Sequence, residues 1–352
     1  MYDCIRPGQV WLDTEGKRIQ AHGASVFYEN GVFYWYGENK EFTSREKSIW
    51  TWGIRCYSST DLYNWKDEGL IIPPVPDDEQ SILHPKRYLD RPHIIFNKKY
   101  GKYVCWLKYC DTNHFAVLTA DRFLGPYTIV RDFLQPFGRE SGDFDLAVDE
   151  STGKGYLYFE ADHRDLLAAE LSEDYTDVSG DYVTVYEHMN PPYTREGVTH
   201  FQRQGKHYIV TSGMTGYMPN PSEVAVGDDW LGPFTIQGNP HVDDASSASF
   251  NSQISGIFKY PEKDDLYIAV ADRWAPGYVV TRELYERLAR VVAANFDPSI
   301  PVDLEDQMEL LRSPMVAHTD TSVADYVWLP FRFDGDRALL DWHEQWRVED
   351  FK

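Results

Sequence analysis

Four short polar segments mark where this chain could do chemistry: Asp90-Arg91, Gly142-Asp143, Arg195-Glu196 and Ser252-Gln253. Each stands just before a run of apolar and β-branched residues, so each opens a strand. A fifth segment, Ile19-Gln20-Ala21-His22-Gly23, occupies the corresponding place near the start of the chain. Carboxylates brought to one cleft raise one another's pKa, which keeps one of them protonated at neutral pH as a general acid. Glu196, Asp90 and Asp143 are the carboxylates available for this, with the amide of Gln253 beside them. Competing structural uses are plain: Asp90 and Arg91 could form an ion pair or a turn contact, and a strand-end glutamate such as Glu38 could satisfy backbone.

The spacing of these segments follows from a repeated phrase. A tight-turn signal precedes a short aromatic or β-branched strand at Asn30-Gly31, Tyr100-Gly101-Lys102, Thr152-Gly153-Lys154-Gly155, Gln204-Gly205-Lys206 and Lys263-Asp264-Asp265. Gly and Asp supply the positive φ that a hairpin turn needs, and the apolar run after it is the second strand. The copies lie roughly 50 to 70 residues apart, enough for one four-stranded sheet each, which is the plan of a β-propeller. Five copies predict an all-β, five-bladed propeller over residues 1–352. The first strand of each blade then delivers its opening residues to one pocket at the end of the axial channel.

Along the chain, residues 8–72 read as blade one, with Trp11-Leu12-Asp13 a candidate strand and Ala24–Tyr28 pairing Val32–Tyr36 as a hairpin. Blade two starts near Arg91, blade three runs from about Asp143 to Tyr186, blade four starts near Glu196 and blade five near Gln253. Leu124-Gly125-Pro126-Tyr127-Thr128 is echoed by Leu231-Gly232-Pro233-Phe234-Thr235 at the outer ends of two blades. Residues 281–312 break the pattern: Leu284, Leu288, Val291 and Val292 recur at helical spacing, and Leu304–Leu311 follows two prolines. This predicts a helical insertion in the last blade, as a solvent-facing decoration, a pocket lid or an oligomer contact.

Composition narrows the partners. The 352 residues carry a formal net charge of −22, which argues against nucleic acid or an anionic membrane as partner. Aromatic residues make up 15 % of the chain. They serve cross-strand packing or, in part, platforms for sugar rings, and Trp274 is a candidate for either use. No run approaches the length of a membrane span, and the N-terminus has no basic flank before an apolar stretch, so a cytoplasmic location is expected. The four cysteines show no CxxC spacing and read as free thiols. The histidines show no metal-binding spacing, and neither a phosphate-binding loop nor a Gly-x-Ser-x-Gly elbow is present, so no cofactor is expected.

Several segments together resemble glycoside hydrolase family 43, and within it the exo-β-1,3-galactanase branch. They are Ile19–Gly23, Tyr34-Trp35-Tyr36-Gly37-Glu38, Cys56–Asp61, Asp90-Arg91-Pro92 with Asn97 downstream, Thr211-Ser212-Gly213, Ser252-Gln253, Asp272-Arg273-Trp274 and Tyr326–Pro330. The resemblance runs from about Trp11 to Trp346, apart from the helical insertion. It implies a five-bladed propeller and an inverting hydrolase acting on an oligosaccharide. By position Glu196 is the implied general acid. An inverting enzyme also needs a group on the other face, about 6.5–9.5 Å away, to activate water. Blade one offers Gln20, Ala21 and His22 where most of the family has an aspartate, and the galactanase likeness assigns the water to Gln253. Asp90, the third catalytic candidate, stands where the galactanases usually carry glutamate, to hold substrate or to tune Glu196. The implied substrate-binding set is Glu38, Arg91, Asp143, His22, His114, Thr215 and Trp274.

Departures from the branch touch the pocket. Gly23-Ala24-Ser25 replaces a run of glycines, Glu196-Gly197-Val198 replaces Glu-Ala-Pro, Gly142-Asp143 stands where Arg-Asp is usual, and His114 lies near a usual tyrosine. The leading expectation is an exo-acting glycosidase for β-linked galactose. The alternatives are an arabinofuranosidase or xylosidase of the same fold, or a carbohydrate-binding propeller without activity.

Overall fold

The computed structural model describes residues 1–23 and 25–352. Five four-stranded antiparallel sheets form, each from one contiguous stretch of chain. Blade one holds β1 (Val26–Glu29), β2 (Val32–Glu38), β3 (Ile54–Ser59) and β4 (Lys66–Ile72). Blade two holds β5 (Leu89–Asn97), β6 (Lys102–Tyr109), β7 (His114–Ala120) and β8 (Thr128–Leu134). Blade three holds β9 (Ser141–Asp149), β10 (Lys154–Ala161), β11 (Asp165–Leu171) and β12 (Val178–Tyr186). Blade four holds β13 (Arg195–Arg203), β14 (Lys206–Gly213), β15 (Glu223–Gly227) and β16 (Phe234–Gly238). Blade five holds β17 (Gln253–Lys259), β18 (Tyr267–Arg273), β19 (Asp325–Asp334) and β20 (Arg337–Leu340).

Each repeated turn phrase joins the first two strands of a blade. In blade one Asn30 and Gly31 have φ of 51° and 85°, both in the left-handed region that matches a two-residue turn to the strand twist. Exposure grades from axis to rim. β9 begins with six buried residues, whereas the first six residues of β8 are all exposed. An inner strand such as β9 is therefore packed on both faces, while an outer strand such as β8 faces water. The β1 hairpin forms over Val26–Glu29; Ala24, expected in it, lies outside the described residues.

The ring closes by packing rather than by strand exchange. Trp35 of blade one and Trp328 of blade five have ring centroids 4.5 Å apart, and Trp11 lies 5.3 and 5.2 Å from them. A bridge between Ile5 and Trp346 ties the two ends of the chain. Trp11-Leu12-Asp13 is thus not a blade strand. Leu12 makes a single bridge to Arg18, and Trp11 is spent on the aromatic cluster. The two Leu-Gly-Pro segments lead into the outer strands β8 and β16 and do not end them.

The insertion forms two helices between β18 and β19: α1 (Arg282–Ala293) and α2 (Leu304–Arg312). Thr281 caps α1 by accepting a hydrogen bond from Leu284 N. Leu284 and Leu288 pack with Met218 and Met315, and Pro314 O accepts from Tyr217 N at 3.0 Å. The insertion thereby braces the 214–220 loop at the mouth of the axial pocket.

Candidate active site

The same irregularity places the functional side chain in four blades. In β5 the pairs Asp90↔Lys108 and His93↔Trp106 enclose one extra residue on the inner strand. The pairs Ser141↔Ala161 and Phe144↔Phe159, Glu196↔Ser212 and Thr199↔Val210, and Ile254↔Ala271 and Gly256↔Val270 do the same. A one-residue bulge twists the strand end and re-aims its side chain. Arg91 and Gly197, in two of these bulges, have φ of 45° and 58°. Arginine in that region costs about 1–2 kcal/mol, a cost found where function fixes a geometry.

The bulged ends converge on a cavity of about 300 Å³ lined by Glu38, Trp50, Asp90, Arg91, Lys108, Cys110, Asp143, His163, Glu196, Met214, Gly216, Tyr217, Gln253 and Trp274. Seven of the ten expected site residues line it. Three do not. His114 starts β7 away from the cavity, stacked between Tyr109 and Phe133 at 5.0 and 4.4 Å. Its Nε2 lies 3.2 Å from Asp132 O, so it is a packing residue of blade two. Thr215 is buried and donates to Met218 O at 2.6 Å, which shapes the loop beside the cavity. His22 is fully buried behind the wall. Its Nδ1 lies 2.9 Å from Asp272 Oδ1, and its Nε2 lies within 3.2 Å of Gln20 Oε1 and Tyr326 Oη. Both ring nitrogens are used internally, and the ring supports Trp274 at 5.5 Å.

Charges alternate across the cavity. Asp143 Oδ1 accepts from Lys108 Nζ at 2.6 Å, and Oδ2 accepts from Gly197 N at 2.9 Å and faces Arg91 Nε at 2.8 Å. Burial opposes this carboxylate, but Arg91 and Lys108 outweigh it and hold its pKa well below the usual range. Asp90 is likewise held low against burial by Lys40 and Lys108. It accepts from Trp50 Nε1 at 2.7 Å and from the Cys110 thiol at 2.9 Å. Lys40 is fully buried between Glu38 and Asp90, at 2.7 and 3.4 Å, and stays charged.

Glu196 goes the other way, as does Glu38, whose carboxyl burial pushes up to about 8 against Lys40. Burial and the neighbouring Asp143 charge push the Glu196 carboxyl up to about 8, against Lys108 and Arg91. Asp143 does the tuning that the sequence reading gave to Asp90. Beside Glu196 the Gln253 amide is held on every side. Its Oε1 accepts from Arg91 at 2.7 Å and Trp274 at 3.2 Å, while Nε2 donates to Ser212 Oγ at 2.9 Å and reaches Glu196 at 3.5 Å. Two donors on Oε1 leave no room for a hydroxyl hydrogen there, so Gln253 rests as the ordinary amide.

Sequence reading missed Trp50, Lys108, Cys110, His163 and Tyr217. Lys108 was findable: second strands run back to the pocket face, so their last residues belong there as much as the first strands' openings. That rule gives Glu38, Lys108, Glu160, Ser212 and Asp272. Trp50 and Tyr217 sit on loops between second and third strands, where no repeat marks them.

The family description Glycosyl hydrolases family 43 matches residues 19–291, and the chain belongs to this family of glycosidases. A solved family-43 β-1,3-galactosidase superposes with a TM-score of 0.80 at 27 % identity, covering 99 % of this chain and 65 % of that one. A second β-1,3-galactosidase, solved with galactodeoxynojirimycin, gives 0.77 at 26 % identity, covering 98 % of this chain and 100 % of that one. An arabinoxylan arabinofuranohydrolase from Paenibacillus polymyxa is 25 % identical over 264 residues, 63 % of this chain. This chain spans only 40 % of that relative's length.

Proposed function

We propose that this chain is an exo-acting, inverting glycosidase that releases a terminal β-1,3-linked galactose from oligosaccharides. The observation that carries the reading is Glu196: a carboxyl with its pKa near 8, protonated at neutral pH, in the one cavity where four blades aim polar side chains. Protonation of the departing glycosidic oxygen is its role. Gln253, fixed by Arg91 and Trp274, orients the attacking water rather than taking its proton. Asp90, Asp143, Arg91 and Glu38 hold the sugar hydroxyls, and Trp274 offers an apolar ring face. A volume of about 300 Å³ is at the small end for ligand sites, which suits the end of a glycan rather than its middle. The two galactosidases above support the choice of sugar.

The test is product analysis on β-1,3-galactobiose with detection of the anomer first formed. Inversion yields α-galactose; β-galactose as first product overturns inversion, and an intact disaccharide overturns the sugar. The arabinofuranohydrolase relative favours a second reading, the same chemistry on arabinofuranose or xylose. A panel of nitrophenyl glycosides separates the two. Gln253→Ala should lower kcat by about a hundredfold if water placement is its task, and turnover near wild type removes it from the mechanism.

A further inference from the structure

A second cavity of about 440 Å³ adjoins the first, and the two share Trp50 as a common wall. Trp50 is held in place: its Nε1 donates to Asp90, its ring packs on Tyr88 at 4.4 Å, and Lys40 Nζ lies 4.6 Å from its centroid. Three separate segments build the remaining walls. The loop after β2 supplies Arg45, the link between blades one and two supplies Lys86, and the tail of the helical insertion supplies His318. In a chain with a formal net charge of −22, no carboxylate is among the described residues that line this cavity. Lys86 pairs with Glu79 outside the lining at 2.7 Å, and the Arg45 guanidinium forms no ion pair among the described residues.

We propose that this cavity is an outer subsite for a carboxylate-bearing sugar, a hexuronic acid in the part of the glycan that leaves the catalytic cavity across Trp50. The proposal rests on the glycosidase reading of the neighbouring cavity. An aromatic wall takes the ring face, and a guanidinium is suited to grip a carboxylate bidentately. The insertion gains a task, since its His318 adds an imidazole to the wall that Arg45 and Lys86 form. Two placements of the acid share this chemistry: a branch on the terminal sugar, and the residue beyond the scissile bond.

The experiment compares hydrolysis of neutral β-1,3-galactobiose with two uronate-bearing oligosaccharides, one of each placement. The expected result is a kcat/KM about tenfold higher for one of the acidic substrates than for the neutral one, the scale of a charge-assisted contact. That ratio should collapse in Arg45→Glu, shrink in His318→Ala, and fall as salt is raised. Equal or lower kcat/KM for both acidic substrates overturns the subsite and leaves the glycosidase reading standing. Failure to cleave any of the three overturns the β-1,3-galactose reading instead. Calorimetry on Glu196→Gln then decides the subsite: tighter binding of an acidic oligosaccharide, abolished by Arg45→Glu, upholds it, and equal binding of all three overturns it.

Discussion

Asp143 and Glu196 stand near the openings of neighbouring blades, share one cavity, and are driven in opposite directions. Asp143 sits between Lys108 and Arg91 with a backbone N–H on the same oxygen. Among the described residues the Glu196 carboxyl receives only the long contact from Gln253, while the Asp143 charge works against its own. Two like groups thus come to hold opposite protonation states: one is a fixed anion, the other is kept protonated by burial and by its neighbour's charge. The pairing is cooperative in design, because the anion that anchors both cations is also what keeps the acid protonated.

The largest test of this contrast is Glu196→Gln. It should cut kcat by about a thousandfold or more, the upper part of the range for a general acid, with the fold intact by circular dichroism. Retained hydrolysis would refute the acid assignment. Asp143→Asn should act next, through two effects of the same sign. It removes the like charge that raises Glu196, and it frees Arg91 and Lys108 to stabilise the Glu196 anion. The basic limb of the kcat/KM profile, near pH 8 in the wild type from the Glu196 carboxyl, should therefore move to lower pH. An unmoved limb would break the coupling argued here.

The two carboxyls also pull stability in opposite directions. Asp143, depressed in the fold, contributes stability that is present above its unfolded pKa of about 3.9 and is lost as pH falls through its folded pKa. Glu196, raised to about 8, favours the fold below its unfolded pKa of about 4.3, and that contribution is lost as pH rises toward 8. Chemical denaturation of Glu196→Gln against wild type across pH 5–9 should show the gap between them widening with pH. A constant gap would mean that Glu196 is not the group that titrates.

Smaller effects follow from the backbone. Gly197 has φ of 58°, and a Cβ there would lie 2.7 Å from Ser212 Oγ and 3.1 Å from Gln253 Nε2. Gly197→Ala should cost about 1–2 kcal/mol of stability in urea unfolding from the left-handed φ alone, and should lower kcat by displacing Gln253. The smallest expected effect is His114→Ala. It empties a stacked position in blade two, lowers Tm, and leaves kcat/KM of the folded enzyme where it was. A change in kcat/KM would return His114 to the site.

Much of this architecture was legible. The turn phrase is local: Asn30-Gly31 and its counterparts encode a backbone conformation by residue type, so blade number and order survived translation into structure. The openings of the inner strands were legible for the same reason, since a strand's start can be counted from its turn. The misplaced residues fail for a different reason. His22 is near the axis in sequence terms, but its ring nitrogens are claimed by Asp272 of blade five and by Gln20 and Tyr326, partners that no local pattern announces. Trp11 looked like a strand residue because tryptophan favours strands, yet the gap between the first and last blades claimed it.

What the sequence determined by itself, then, is the repeat: five hairpins, their turns, and one polar residue at the head of each of four inner strands. Those depend on φ preferences and on apolar alternation within a few residues. The tertiary structure decided the electrostatics. Whether a carboxyl at a strand head is an acid or an anion depends on which cations and dipoles other blades bring within about 3 Å, where a Coulomb interaction in a buried site outweighs any intrinsic preference. Lys108 and Arg91 reach Asp143 and leave Glu196 with a proton, a distribution fixed only when the ring closes.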